Sequence, residues 1–282
     1  MTSSAHAPVH VTAELLVTRR IGAHQHLTVV APGIAERFRP GTFVAVSTGP
    51  GRLARRALWI HRVRPTAGYG ATLELVVLPS GPGTRWLAEL PVRSRFEVTG
   101  PLGRPFALPT EPVACVLVGE GYAAAPLFPL AERLRERGCA VTMVVAGRDE
   151  AHLLSALEAR RTARAVTVVT ADGSVGQRGR AADVVAEVLA AADAEVVYAG
   201  GSAETLHAVA AAAEEHGAWS QTALERPVTC GTGLCQGCAV PVVGEDGAPR
   251  TVRACVDGPV FRGDRVRWAH LDADPAEEGS PA

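Results

Sequence analysis

The 282-residue chain contains no lysine, and all 28 of its basic residues are arginine. Together with abundant alanine this usage fits a high-GC genome and carries no functional information. Against 29 acidic residues the net charge is −1, so no global field argues for nucleic acid or a membrane surface as partner. Although 47% of the residues are hydrophobic, no apolar run approaches the roughly 20 residues that span a bilayer. The stretch from Met1 to His10 lacks the basic start and apolar run of a signal peptide. Six cysteines are too sparse for a disulfide scaffold in a chain of this length. No Ser/His/Asp or paired-carboxylate constellation stands out, and the nine histidines are scattered without metal-ligand spacing. Reduced thiols without an export signal make the cytoplasm the expected compartment.

What the chain does have is a concentration of thiols. Four of the six cysteines fall in one C-terminal stretch, as Cys230-Gly231-Thr232-Gly233-Leu234-Cys235-Gln236-Gly237-Cys238 followed by Cys255 after 16 intervening residues. This C-x4-C-x2-C…C spacing is the one plant-type 2Fe–2S clusters use. A short loop supplies three converging thiolates only if its backbone bends tightly, and Gly231, Gly233 and Gly237 permit that bend. They also free backbone N–H groups to point at a negatively charged cluster. Structural zinc is the alternative, but zinc sites usually show two separated C-x2-C-like pairs. Cys115 and Cys139 stand apart in sequence beside strand-like apolar runs and read as inert core thiols. A chain with such a cluster moves single electrons.

Three segments follow different grammars. Between residues 9 and 103, short runs at 9–18, 26–30, 43–47, 57–63, 72–78 and 95–99 read as strands, separated by Gly/Pro breaks, with a short helix over 84–90. Six such strands predict an antiparallel barrel or sandwich. From 104 to 222, continuous apolar runs at 113–118, 140–146, 165–170 and 195–199 alternate with helical stretches at 123–137, 150–159, 180–191 and 203–216. Buried parallel strands alternating with helices predict a doubly wound α/β domain, with ligands at the carboxyl ends of the strands. Residues 223–269 form the cysteine segment, with a closing strand expected at 265–268. A disordered tail is expected over 270–282, where the stretch from Asp272 is acidic and rich in Pro, Gly and Ala. Barrel, α/β domain and iron–sulfur segment in this order match the architecture of the ferredoxin–NADP reductase superfamily.

Specific motifs carry a closer likeness. They are the Thr229–Cys238 loop, Arg253-Ala254-Cys255-Val256-Asp257-Gly258-Pro259-Val260-Phe261, Ala171-Asp172-Gly173-Ser174-Val175-Gly176-Gln177-Arg178-Gly179, and Gly100-Pro101-Leu102-Gly103-Arg104-Pro105-Phe106. Through them the chain resembles the electron-transfer subunits of the type B dihydroorotate dehydrogenases, over about residues 9–268. The resemblance implies FAD between barrel and α/β domain, and a 2Fe–2S cluster on Cys230, Cys235, Cys238 and Cys255. It further implies NAD(H) as electron acceptor or donor, and a hetero-oligomer with an FMN-containing catalytic subunit that oxidises dihydroorotate in pyrimidine biosynthesis. The family's Arg-Pro-x-Ser flavin strand falls on Arg56-Ala57-Leu58-Trp59, its second flavin strand on Val76-Val77-Leu78, and its Gly-Thr on Gly83-Thr84.

Elementary chemistry supports part of that carry-over. An arginine such as Arg56 can pair bidentately with a pyrophosphate, or form a solvated strand end beside Arg52 and Arg55. Gly83-Thr84 can offer backbone N–H groups and a hydroxyl to the same anion, or form an ordinary turn and N-cap. Asp172 and Ser174 read first as an Asx-type turn. Departures from the family pattern cluster in the nucleotide loops. Trp59 replaces a serine, Leu78 an arginine, and Gly119-Glu120-Gly121-Tyr122-Ala123-Ala124-Ala125-Pro126 replaces a run of glycines. Glu120 brings a negative charge towards a pyrophosphate, and Ala123 adds a methyl group where close backbone approach is needed. The expected function is therefore a flavo-iron–sulfur relay, an oxidoreductase subunit. A reductase component for another enzyme, or a cluster-bearing module without NAD binding, are the alternatives.

Overall fold

The computed structural model describes residues 7–49, 51–52, 54–66 and 70–271. The tail from Asp272 onward lies outside them. The first unit is a closed barrel of β1 (Val9–Ile21), β2 (His24–Val30), β3 (Phe43–Val46), β4 (Arg56–Thr66), β5 (Gly70–Val77) and β6 (Arg95–Leu102), with α1 (Pro82–Ala88) between the last two. Its strand order is β1-β2-β5-β4-β3-β6, every pairing antiparallel. Period-two patterning builds it. In β6 burial alternates strictly, and Phe96 and Val98 point into a core shared with Ala13, Leu15, Leu27, Val29, Leu73 and Leu75. Closing the sheet leaves no unpaired edge.

The second unit contains β7 (Ala114–Glu120), α2 (Leu127–Glu136), β8 (Ala140–Gly147), α3 (Ala156–Thr162), β9 (Ala165–Thr170), β10 (Gln177–Arg178), α4 (Ala181–Ala192), β11 (Val196–Gly200), α5 (Ala203–His216) and β12 (Trp219–Ala223). Here β7, β8 and β11 are apolar and buried almost without interruption, as strands covered by helices on both faces must be. Helices α2 and α3 pack together on the side of the barrel, and α4 and α5 pack together on the other side. The sheet order is β10-β9-β8-β7-β11-β12, with a last strand, β15 (Val260–Arg262), beside β12. β7 and β11 run parallel, and between them the order in which strands join the sheet reverses, which is the switch point where such sheets bind ligands.

The third segment is an excursion between β12 and β15. It carries the cysteine loop and a hairpin of β13 (Ala239–Val243) and β14 (Pro249–Arg253), then returns as β15 (Val260–Arg262). The return corrects one expectation. Residues 265–268 are not a strand. The closing strand is β15, antiparallel to β12, and the chain then turns through two short 3₁₀ segments, Gly263–Arg265 and Trp268–His270. Trp268 stacks on His207 of α5 (ring centroids 5.5 Å apart) and donates Nε1–H to the Gly263 carbonyl at 3.0 Å, so it anchors a turn rather than a ladder. Leu271 is buried, so packing continues into the region expected as tail.

Barrel and α/β unit meet over an interface that includes four histidines. His61 of β4 stacks edge-on against Phe128 of α2, and His26 edge-on against His61. His24 stands edge-on to His152, 6.3 Å between ring centroids. Burial pushes His24 and His61 down to about 4, with His26 and His152 adding to the effect at His24. Both rings are neutral in the fold and protonate more readily once unfolded. A folded value below the unfolded one gives stability that is complete above about pH 6.5 and is lost as the pH falls towards 4. In metal-free protein the urea midpoint should therefore drop between pH 7 and pH 5. The slope should be shallower in His61→Gln, and an unchanged slope would contradict this account.

Candidate functional site

A cavity of about 480 Å³ opens where the three segments meet. Its walls come from the start of β4 (Arg56, Ala57, Leu58, Trp59), from Phe43 of β3, from Tyr122 after β7, and from the stretch Leu224–Thr229. Size and lining suit a ligand with an apolar ring system and a charged end. Arg55 and Arg56 supply cationic groups at one side, and Phe43, Leu58, Trp59 and Val228 supply apolar surface. Arg56 lies directly over the first turn of α1. A Cβ on Gly83 would stand only 3.0 Å from the Arg56 Nε, so glycine here makes room for the guanidinium. The Thr84 hydroxyl is engaged locally, accepting from the Ser80 and Gly81 N–H groups at 3.1 and 3.0 Å and donating to the Gly81 carbonyl.

One carboxylate ties the walls together. Glu225 accepts hydrogen bonds from the Trp59 indole N–H through Oε1 and from the Tyr122 hydroxyl through Oε2. Desolvation pushes the Glu225 carboxyl up, and the two donors oppose it. Burial and the neighbouring Glu225 likewise push the Tyr122 phenol up, so it stays a donor. Trp59, in place of a small serine, thus has its one polar atom satisfied while its ring meets Phe43 edge-on at 6.3 Å.

The cysteine loop begins at the next residue after the cavity wall, since Thr229 lines the cavity and Cys230 follows it. Cys238 and Cys255 are buried, Cys230 is half-buried, and Cys235 is exposed. Burial would raise the Cys230 thiol, yet N–H groups of Cys235 and Thr232 outweigh it and hold it down at about 5. The Thr232 N–H lies 3.4 Å from its sulfur. Cys255 is pushed up to about 12, first by burial and then by a hydrogen bond with the Cys238 thiol. A thiol raised this far ionises against a strong Lewis acid, and the iron of an iron–sulfur centre is one. Gly233 has φ +79°, and a Cβ there would stand 2.8 Å from the Val256 side chain, so the loop cannot close around a larger residue. Cys115 and Cys139 are both buried, and close enough that burial and Cys139 together push Cys115 up to about 12, far from any reactive thiolate.

A second crevice of about 400 Å³ lies at the switch point, lined by Glu120, Gly121, Tyr122, Ala123, Gly201, Ser202, His24, His152 and Leu78 among others. Tyr122, Leu224 and Glu225 line both spaces. The N-terminus of α5 faces this crevice, a natural seat for an anion. Here it is already engaged: Glu120 Oε2 accepts from the Ser202 backbone N–H at 2.9 Å and from its hydroxyl at 2.7 Å.

The iron–sulfur cluster binding domain of dihydroorotate dehydrogenase B matches residues 225–267. The dihydroorotate dehydrogenase B (NAD(+)) electron transfer subunit of Desulforamulus reducens is 32% identical over 240 residues, 84% of this chain and 90% of that protein. The chain belongs to this family of electron transfer subunits. Its counterpart in Listeria monocytogenes is 30% identical over 250 residues, covering 85% of this chain and 95% of that one. The solved structure of an NADH-dependent reduced ferredoxin–NADP oxidoreductase superposes with TM-score 0.78 at 28% identity, over 92% of this chain and 90% of that one. A ferredoxin NADP+ reductase from Neisseria gonorrhoeae with bound FAD and NADP shares the fold, with TM-score 0.58, 16% identity and coverage of 74% and 92%.

Against the family pattern, the subunit brings Arg56, Ala57, Leu58 and Trp59 to the cavity and Gly83 beneath Arg56. Val76 and Val77 are fully buried on opposite sides of β5, Val77 in the barrel core. Leu78 lines the crevice instead of the cavity. Asp172 accepts from the Ser174 N–H at 2.9 Å and hydroxyl at 2.7 Å, a closed Asx turn. Sequence reasoning missed Tyr122, Glu225 and Phe43. Glu225 had one signal available, its place five residues before Cys230. Glu120 sits where a dinucleotide pyrophosphate would use the α5 donors, so a nucleotide that needs them must displace it. Removing one negative charge there is worth about 1.4 kcal/mol, or tenfold. Glu120→Gly should thus bind NADH about tenfold tighter by calorimetry, and equal or weaker binding would refute the assignment.

Proposed function

We propose that the subunit relays electrons between NAD(H) and an FMN-containing catalytic partner that oxidises dihydroorotate. The observation that carries this reading is the continuity of the cavity wall with the cysteine loop, Thr229 running directly into Cys230. FAD suits the cavity and a 2Fe–2S cluster suits the four cysteines. Bound together, they supply the exchange between two-electron hydride chemistry and one-electron transfer. Arg56, resting on Gly83, is positioned to pair with the flavin pyrophosphate. Phe43 and Trp59 offer apolar surface to the ring system, and the Trp59–Glu225–Tyr122 bonds hold the walls at fixed separation. In the cluster loop, the N–H groups that lower Cys230 favour the thiolate a metal requires.

Short distance matters for electron transfer, and the surface beside the cysteines is suited to docking. Leu234 is 86% exposed and Val256 38% exposed, both next to Cys235 or Cys255 in sequence. Exposed apolar residues beside a redox loop fit a partner surface. The altered crevice favours a second reading, a reductase component that serves a different acceptor enzyme, because Glu120 occupies the anion seat.

Anaerobically purified subunit should show flavin and iron–sulfur absorption, and NADH should bleach the flavin where NADPH does not. Cys235→Ser should keep the flavin and lose cluster iron. Flavin that neither nucleotide reduces would remove the NAD role, and zinc without iron would remove the relay. Leu234→Glu should weaken association with the catalytic partner in sedimentation while leaving iron content unchanged. Undiminished association would place docking elsewhere.

A further inference from the structure

The histidine interface between barrel and α/β unit contains a cluster that the flavin and the cysteines do not use. His26 on β2, His61 on β4 and Glu74 on β5 each offer a ligand atom, and these atoms lie within 4.8 Å of one another. In sequence they are scattered. The barrel brings them together because β2, β5 and β4 are consecutive neighbours. A register shift between Ile60 and Arg62 leaves His61 unpaired in the ladder. Such a bulge re-aims side chains. Ile60 stays in the barrel core while His61 and Arg62 both emerge on the outer face, beneath α2 and α3.

The hydrogen-bond inventory of the two rings is incomplete. His61 Nδ1 lies 3.2 Å from the Ala125 carbonyl, and His26 Nδ1 lies 2.7 Å from Glu74 Oε1. Both partners are acceptors, so in a neutral ring each Nδ1 carries the proton and each Nε2 is a bare lone pair. Both Nε2 atoms are buried and make no hydrogen bond. The side chains are 1% and 5% exposed. Nearest to His61 Nε2 is another acceptor, Glu158 Oε2 of α3, at 3.5 Å. A lone pair facing a carboxylate calls for a cation between them. An imidazole oriented through Nδ1 by a backbone carbonyl, as His61 is, is how proteins present histidine to a metal, and Glu74 has only to turn from His26 Nδ1 to reach the same ion.

We infer that His26, His61 and Glu74, with Glu158 as fourth donor, form a binding site for a divalent transition metal of the zinc type. Two imidazoles and two carboxylates are a donor set for such ions, and four ligands match tetrahedral coordination. Zinc–ligand bonds of about 2.0–2.1 Å place ligand atoms about 3.4 Å apart, so modest side-chain shifts close the site. In the metal-free arrangement Arg62 takes the cation's place. Its guanidinium pairs with Glu158 Oε1 and lies 3.9 Å from Glu74 Oε2. A groove of about 400 Å³ beside it, lined by Thr28, Arg64 and Thr72 among others, gives Arg62 room to swing out. With Arg62 displaced, a divalent ion neutralises the two carboxylates. Ligands from three barrel strands and from α3 would then clamp the barrel to the α/β unit. This inference is independent of the proposed electron relay.

The test uses the full-length subunit with its flavin and cluster, dialysed against Zn(II) and then against metal-free buffer. Metal analysis should find one zinc per chain in addition to cluster iron. Zinc-edge X-ray absorption should show nitrogen and oxygen neighbours at about 2.0–2.1 Å and no sulfur. His26→Gln and His61→Gln should lose the zinc and retain flavin and iron. Zinc should also raise the melting temperature of the wild type, since it binds only the folded chain. No retained zinc, zinc ligated only by sulfur, or zinc undiminished in both histidine variants would each overturn the inference. Should the histidine variants fail to fold, Arg62→Gln decides: competition with a chromophoric chelator should show tighter Zn(II) binding, and unchanged or weaker binding overturns it.

Discussion

The pairing of Glu225 with Trp59 and Tyr122 is the interaction on which the functional region depends. Its three residues come from the barrel, from the loop after β7 and from the stretch that leads to the cysteines. A half-buried carboxylate with both oxygens engaged is costly to leave unmade, and loss of either donor exposes the full desolvation penalty. The bonds therefore help fix where the three segments stand relative to one another. Cavity, crevice and cluster loop all border this junction, so their mutual distances follow from it.

The two nucleotide regions respond differently to substitution. At the cavity beside β4, Trp59 stands where the family has a serine, and the fold accommodates it by giving the indole N–H a carboxylate partner. At the switch point, Glu120 supplies its own charge to the α5 N-terminus through Ser202. The helix end is satisfied without a ligand. That stabilises the ligand-free crevice and raises the displacement cost for an anionic dinucleotide. The same physics, an orphan donor finding an acceptor, tightens one site and competes with the other.

Legibility in the sequence followed the range of the contacts. The barrel strands and the α/β alternation were readable because burial periodicity is local, but the helix expected over 150–159 is a 3₁₀ turn at Glu150–His152 with α3 beginning only at Ala156. The cluster loop was readable because three of its thiols lie within nine residues and its glycines mark the required bends. Residues 265–268 misled because Val266 and Trp268 have strand-like composition, while the sheet edge is closed earlier by Val260–Arg262. Tyr122 and Phe43 gave no local signal, since each is ordinary in its own segment, and Glu225 gave only its place five residues before Cys230.

The sequence by itself determined the fold class, the family and the four-cysteine loop, because each rests on short-range spacing or on a motif held in consecutive residues. Only the tertiary structure decided that Glu225 joins Trp59 to Tyr122, that Glu120 occupies the α5 N-terminus, and that His26 and His61 face Glu74. Those contacts join residues 13 to 166 positions apart. Strand order in the barrel, the bulge at His61 and the crossover at the switch point create them. None of these is encoded in the immediate neighbourhood of the residues they bring together.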